Sequence, residues 1–104
     1  MIIYVDIDDT IAKYTDENKG QYDKAEPIPE RIKIINELYD EDNTIVYWTA
    51  RGTMSGINWF KITYDQLIRW GCKFHELRMN KPVYDIFIDD KNINSNRFFE
   101  DLSS

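Results

Sequence analysis

A chain of 104 residues is long enough for one domain, 1–104, and too short for two; it can bury roughly 60–65% of its unfolded surface and hold a modest core unaided. Its formal charge is −6 and its 13 Lys and Arg form no stripe or tail, which argues against an electrostatic nucleic-acid binder. No apolar run approaches the roughly 20 residues of a spanning helix and no basic, apolar leader opens the chain, so the expectation is a cytoplasmic protein with no membrane attachment.

Ile2-Ile3-Tyr4-Val5 reads as a strand, and it runs straight into Asp6-Ile7-Asp8-Asp9-Thr10. Carboxylates at that density do not enter a hydrophobic core without a cation or another purpose. At the carboxyl end of a parallel strand they lie where open α/β folds bind ligands. Segment 11–28 is polar and without a period, and reads as a loop or short flap over the acidic turn. Pro27 and Pro29 punctuate the entry to a helix in which Ile28, Ile32, Ile35, Leu38 and Tyr39 recur at helical spacing. It ends near Asp40 to Asn43.

Thr44 to Trp48 is a second strand, closed by the small polar turn Thr49-Ala50-Arg51-Gly52. From Gly56 to Trp70 a second helix carries Ile57, Phe60, Tyr64, Leu67 and Ile68 on one stripe, with Gly71 as its natural stop. Lys73 to Leu77 suits a third short strand, and Arg78 to Pro82 a basic loop. Tyr84 to Ile88 reads as a fourth strand ending on Asp89-Asp90, and Ser95 to Leu102 as a closing helix. Strands alternating with helices imply right-handed crossovers and a parallel sheet covered on both faces. The single Cys72 excludes an internal disulfide and agrees with a reducing compartment. His75, the one histidine, has no triad context and reads as a surface or edge residue.

Three strand ends therefore carry polar punctuation: Asp6-x-Asp8-Asp9-Thr10, Thr49, and Asp89-Asp90, with Lys81 just before the last strand. A parallel sheet gathers all three on one edge. This set resembles the haloacid dehalogenase superfamily, whose motifs are Asp-x-Asp-x-Thr/Val, a Ser or Thr after the second strand, a Lys, and a terminal acidic pair. Here they stand as VDIDDT, YWTARG, NKPVYD and IFIDDK, in the family's order, from Met1 to Lys91. The resemblance implies a Rossmann-like three-layer α/β sandwich with a mainly parallel sheet of about four strands. The chain has no room for a cap domain beyond the flap.

By that resemblance Asp6 is a nucleophile that attacks phosphorus to give an acyl phosphate, and Asp8 is the general acid and base. A phosphate beside several carboxylates is repelled by about 1 kcal/mol per unit pair at 4 Å in water and about 4 kcal/mol at an effective dielectric of 20. A hard divalent ion is therefore expected, and Mg2+ suits carboxylates combined with phosphate oxygens. The implied ligands are Asp6, the Asp8 carbonyl, and Asp89 or Asp90. Thr49 and the Ala50 amide would bind phosphoryl oxygens and Lys81 would neutralise developing charge, with Lys73 as its competitor. Arg51 could bind the leaving group or face solvent from its turn. Asp9 and Thr10 are read as holding the turn through their side chains. Asp8 points to phosphoryl transfer, since the dehalogenase branch lacks that acid.

The leading expectation is a magnesium-dependent phosphomonoesterase acting on a phosphorylated small molecule, such as a sugar phosphate. The open site of a capless member suits a larger substrate or closure by a second subunit of a homo-oligomer. The wording of the motifs is also similar to small capless proteins of capsule or polysaccharide biosynthesis. Two other classes compete: a receiver-like phospho-accepting domain, which would place its acidic pair first and its Lys last, and a non-catalytic binding module.

Overall fold

A computed structural model describes residues 1–103, with side chains over 1–102. Three strands form a wholly parallel sheet in the order β1 (Ile2–Val5), β4 (Thr44–Trp48), β5 (Glu76–Arg78). Val5 lies opposite Tyr47 and Tyr47 opposite Leu77, so these residues share one face with Ile3 and Ile45. The radius of gyration, 13.4 Å, matches the roughly 13 Å of a single domain near 100 residues.

Helix α1 (Pro29–Asp40) occupies the expected span, with Pro29 at its first position, where a missing N–H costs nothing. Asn43, nearly fully buried, joins the end of α1 to the start of β1. Its amide donates to the Leu38 carbonyl (2.9 Å), and its Oδ1 accepts from the Met1 amino group (3.1 Å). Helix α2 (Phe60–Arg69) is shorter than the Gly56 to Trp70 periodicity suggests: Gly56 takes φ +75°, outside the helical region, and Asn58 Oδ1 accepts from the Phe60 amide where the helix begins. Gly52 has φ +81°, and a Cβ there would lie 2.1 Å from the Ile57 carbonyl oxygen, so only glycine fits. Gly71 ends α2 at φ +76°, its amide bonding Ile68 and that of Cys72 bonding Leu67. Helix α3 (Ser95–Ser103) closes the domain as expected, packing Phe99 under the Arg31 guanidinium.

Val5, Tyr47 and Leu77 join Ile32 and Ile35 of α1, Leu67 of α2 and Phe99 in one core cluster. The chain crosses from β1 to β4 to β5 in a single direction, and both helices bury side chains in the cluster that holds Val5, Tyr47 and Leu77, which puts them on that face of the sheet. The opposite face presents Ile2 (72% exposed) and Tyr4 (46% exposed). The fold is thus an α/β arrangement of two layers with no cap, where three layers and about four strands were expected.

The missing strand is Tyr84 to Ile88. Those residues form no ladder, and Ile86 and Ile88 are 77% and 93% exposed. Strand propensity measures fit to a half-buried pleated surface, and this run has none to lie on. The third strand is displaced toward its C-terminus, from Lys73–Leu77 to Glu76–Arg78. At its start the His75 amide donates to the Ile45 carbonyl, and the Ile45 amide donates to His75 Nδ1 at 3.1 Å. Segment 11–28 is the expected flap, tied at its base by β2 (Ala12–Lys13) against β3 (Glu26–Pro27) and containing a 3-10 turn at Tyr22–Lys24. No helix among the described residues is long and apolar enough to cross a membrane.

Candidate active site

β1 delivers Asp6 to the carboxyl edge of the sheet, and the chain then reverses. Three amides, those of Thr10, Ile11 and Ala12, converge on the Ile7 carbonyl, and Asp9 takes φ +63°, a conformation Asp tolerates. The turn is therefore held by its backbone and not by the side chains of Asp9 and Thr10. This geometry returns Asp8 toward Asp6 at the rim of a cavity of about 380 Å³, which Thr49, Ala50 and Arg51 also line.

β4 delivers Thr49 to the same edge. Its amide donates to the Arg78 carbonyl, its carbonyl accepts from the Lys81 amide (3.0 Å), and its Oγ1 accepts from the Arg51 amide (3.1 Å). The hydroxyl proton of Thr49 is left to point elsewhere, and the Ala50 amide beside it has no partner among the described residues.

Arg51 is neither solvent-facing nor free for a ligand. Its side chain has 0% exposure, and its Nε and Nη2 donate to Asp8 Oδ2 (3.0 Å) and Oδ1 (2.8 Å). Nη1 donates to Thr63 Oγ1 (3.1 Å) and Gln66 Oε1 (2.6 Å), while the Tyr22 ring lies 5.1 Å from the guanidinium carbon. Tyr14 completes the cluster by donating its hydroxyl to Asp8 Oδ1 at 2.5 Å. Burial works against the Arg51 charge, but the hydrogen bonds and attraction of Asp8, with Tyr14, outweigh it and hold its pKa above the ordinary value. Burial and the neighbouring Asp8 raise that of Tyr14, which stays a donor.

Lys81 Nζ approaches Asp6 Oδ1 at 3.6 Å, and its carbonyl is fixed by the Thr53 hydroxyl (2.8 Å). Lys73, its competitor, instead pairs with Asp40 at 2.8 Å on a different groove of about 440 Å³. Burial raises the Asp6 pKa; Lys81 and the Ile7 amide pull the other way without cancelling it, and Asp8 adds to the rise.

Asp89 and Asp90 are not brought to this cluster. They follow the exposed 83–88 run, where the Lys91 amide lowers the pKa of Asp89, and the hydrogen bond that the Asp90 carboxyl donates to Asp89 raises that of Asp90. Among the described residues no three His, Cys, Asp or Glu side chains are grouped to hold a metal ion. The Asp6 carboxylate and the Asp8 carbonyl, which accepts no hydrogen bond among the described residues, remain as hard oxygen donors. A magnesium ion that keeps several waters and takes its other oxygens from a phosphate fits two protein ligands of this kind.

No protein-family model matches the chain, and no curated protein does. Among solved structures it is similar to a crystal structure from Vibrio cholerae, with a TM-score of 0.81 at 22% identity over 94% of this chain and 86% of that one. At that identity the likeness shows the fold alone.

The residues that the periodicity hid are Tyr14, Thr63 and Gln66. Helix α2 buries Thr63, Gln66 and Leu67, while Phe60, Tyr64 and Ile68 of its apolar stripe are exposed. A buried guanidinium needs acceptors, and α2 turns its polar side inward to supply them. A Thr and a Gln spaced i, i+3 opposite a Thr-Ala-Arg turn were the available signal.

Proposed function

We propose that the chain is a magnesium-dependent phosphomonoester hydrolase of the haloacid dehalogenase type, acting on a phosphorylated small molecule such as a sugar phosphate. The observation that carries this reading is convergence: Lys81 Nζ stands 3.6 Å from Asp6 while Asp8 and Thr49 border the cavity that Asp6 lines. In this reading those are a nucleophile, a proton carrier and two phosphate contacts, brought together from three separate stretches of chain.

In the first step an Asp6 carboxylate oxygen bonds to phosphorus as the ester P–O bond breaks, and the departing oxygen takes a proton from Asp8 in its carboxylic-acid form, which has to form at the expense of the ion pair with Arg51. In the second, water attacks the aspartyl phosphate, Asp8 takes a proton from it, and Asp6 leaves. The Thr49 hydroxyl, the Ala50 amide and the Lys81 ammonium are available to meet the charge that builds on the phosphoryl oxygens. Arg51 orients Asp8 in this scheme and does not contact the leaving group. Bound magnesium, held by Asp6 and the Asp8 carbonyl, would screen the phosphate from the carboxylates and polarise it. Asp89 or Asp90 joins as a further ligand only when the exposed run after Lys81 folds back to Asp6.

Phosphate release, with and without magnesium, is measured on a panel of sugar phosphates, nucleotides and an aryl phosphate. Magnesium-dependent turnover that Asp6→Asn abolishes is expected. No turnover on any compound, or an active Asp6→Asn protein, would overturn the reading.

A further inference from the structure

Gln66 is 2% exposed and sits in the middle of α2. Its Oε1 accepts from Arg51 Nη1 at 2.6 Å and its Nε2 donates to the Tyr22 carbonyl at 2.7 Å. The orientation of the amide is fixed by its partners, since a guanidinium only donates and a carbonyl only accepts. One side chain therefore grips two parts of the site. One is the guanidinium whose other edge holds both oxygens of Asp8. The other is the flap, which supplies Tyr14 to Asp8 and lays the Tyr22 ring between Arg51 (5.1 Å) and Trp59 (5.3 Å). Lys19 and Gly20 of the same flap border the cavity.

We propose that Gln66 is a positioning residue that couples closure of the flap over the cavity to the orientation of the Asp8 carboxyl group. A carboxamide offers an acceptor to Arg51 and a donor to the flap together, without carrying a charge into the buried site. With the flap latched, Tyr14 and Arg51 approach Asp8 from two sides. With it released, Tyr14 is withdrawn and Asp8 keeps only the guanidinium. The catalytic part of the proposal rests on the phosphatase reading; the coupling itself does not.

Two variants separate the two grips. Gln66→Glu keeps an acceptor for Arg51 and removes the donor to the flap, whereas Gln66→Met removes both. In the metal-free protein, hydrogen exchange at the Lys24 and Ala25 amides and at Arg51 Nε is followed by NMR, with thermal unfolding to confirm that each variant is folded. Both variants are expected to speed exchange about 10-fold or more at the flap amides and at Arg51 Nε. Flap exchange that rises in Gln66→Glu while Arg51 Nε is unchanged would overturn the coupling, as would an unchanged flap in both variants.

Turnover supplies a readout that a merely structural role would not move. An alkyl oxide cannot leave without a proton and a nitrophenolate can, so displacing the Asp8 carboxyl group is expected to lower kcat about 10²-fold on an alkyl phosphate and less than ~3-fold on nitrophenyl phosphate. An equal loss on both substrates would overturn the positioning role. If the unaltered protein hydrolyses neither compound, the phosphatase reading falls, and the exchange rates still decide the coupling.

Discussion

Arg51 and Asp8 meet through two hydrogen bonds of 3.0 and 2.8 Å, one to each carboxylate oxygen, with the Arg51 side chain wholly enclosed. The fork geometry matches a carboxylate in a way a lysine cannot reproduce. Removing the cation strands Asp8 beside Tyr14 and leaves Thr63 and Gln66 without their shared donor. Arg51→Met is expected to cost about 3 kcal/mol of stability, and Arg51→Lys to recover little of it. Urea unfolding followed by circular dichroism measures both.

Asp6 gives a pH dependence whose sign follows from its environment. Its pKa is raised in the folded chain, so the fold favours the protonated form, and the favourable contribution fades as pH rises through that raised value. A neutral isostere keeps the favoured state at every pH. Asp6→Asn is therefore expected to unfold at a higher temperature than the unaltered protein at pH 7, with the gap closing as the pH falls below the Asp6 titration. Calorimetric scans across that range read the difference, and a lower unfolding temperature at pH 7 would contradict the assignment.

Cys72 is buried, and burial pushes its thiol up to about 11. Thiolate is the reactive form, so very little is present near neutrality. A disulfide reagent at pH 7.5 is expected to label the folded protein at least ~10-fold more slowly than the urea-unfolded one. Equal rates would show that the thiol is accessible.

Much of this architecture was legible because its signals were local. Pro29 fixes the start of α1, the β-branched and aromatic run fixes β4, and Gly71 stops α2, each through backbone preferences that need no partner. What was illegible depended on partners distant in sequence. Arg51 reads as a turn residue until Asp8, 43 positions earlier, and Gln66, 15 positions later, close around it. Tyr84 to Ile88 has the composition of a strand, but no neighbour offers it a ladder. Lys81 was placed by its position before an acidic strand; the strand is absent and Lys81 still reaches Asp6, because the Thr49 carbonyl and the Thr53 hydroxyl anchor its backbone.

The acidic pair supplies a separate test. Lys81 starts at Asp6, and eight residues of chain can span up to ~27 Å, enough for Asp89 to return to the site. If it completes the ligand set when magnesium and phosphate are bound, Asp89→Asn with Asp90→Asn should raise the magnesium needed for half-maximal turnover about 10-fold or more. An unchanged requirement would assign the metal to Asp6, the Asp8 carbonyl, water and substrate alone.

The most direct measurement is the covalent state of Asp6 during turnover. The protein is mixed with magnesium and a phosphate ester, quenched in acid within milliseconds to seconds, digested, and the peptide containing residues 1–13 is weighed. A phosphoryl adduct on Asp6 that forms and decays at rates compatible with turnover, and is absent from Asp6→Asn, is the expected result. Steady phosphate release with no adduct on that peptide, or release that survives Asp6→Asn, would contradict Asp6 as the nucleophile.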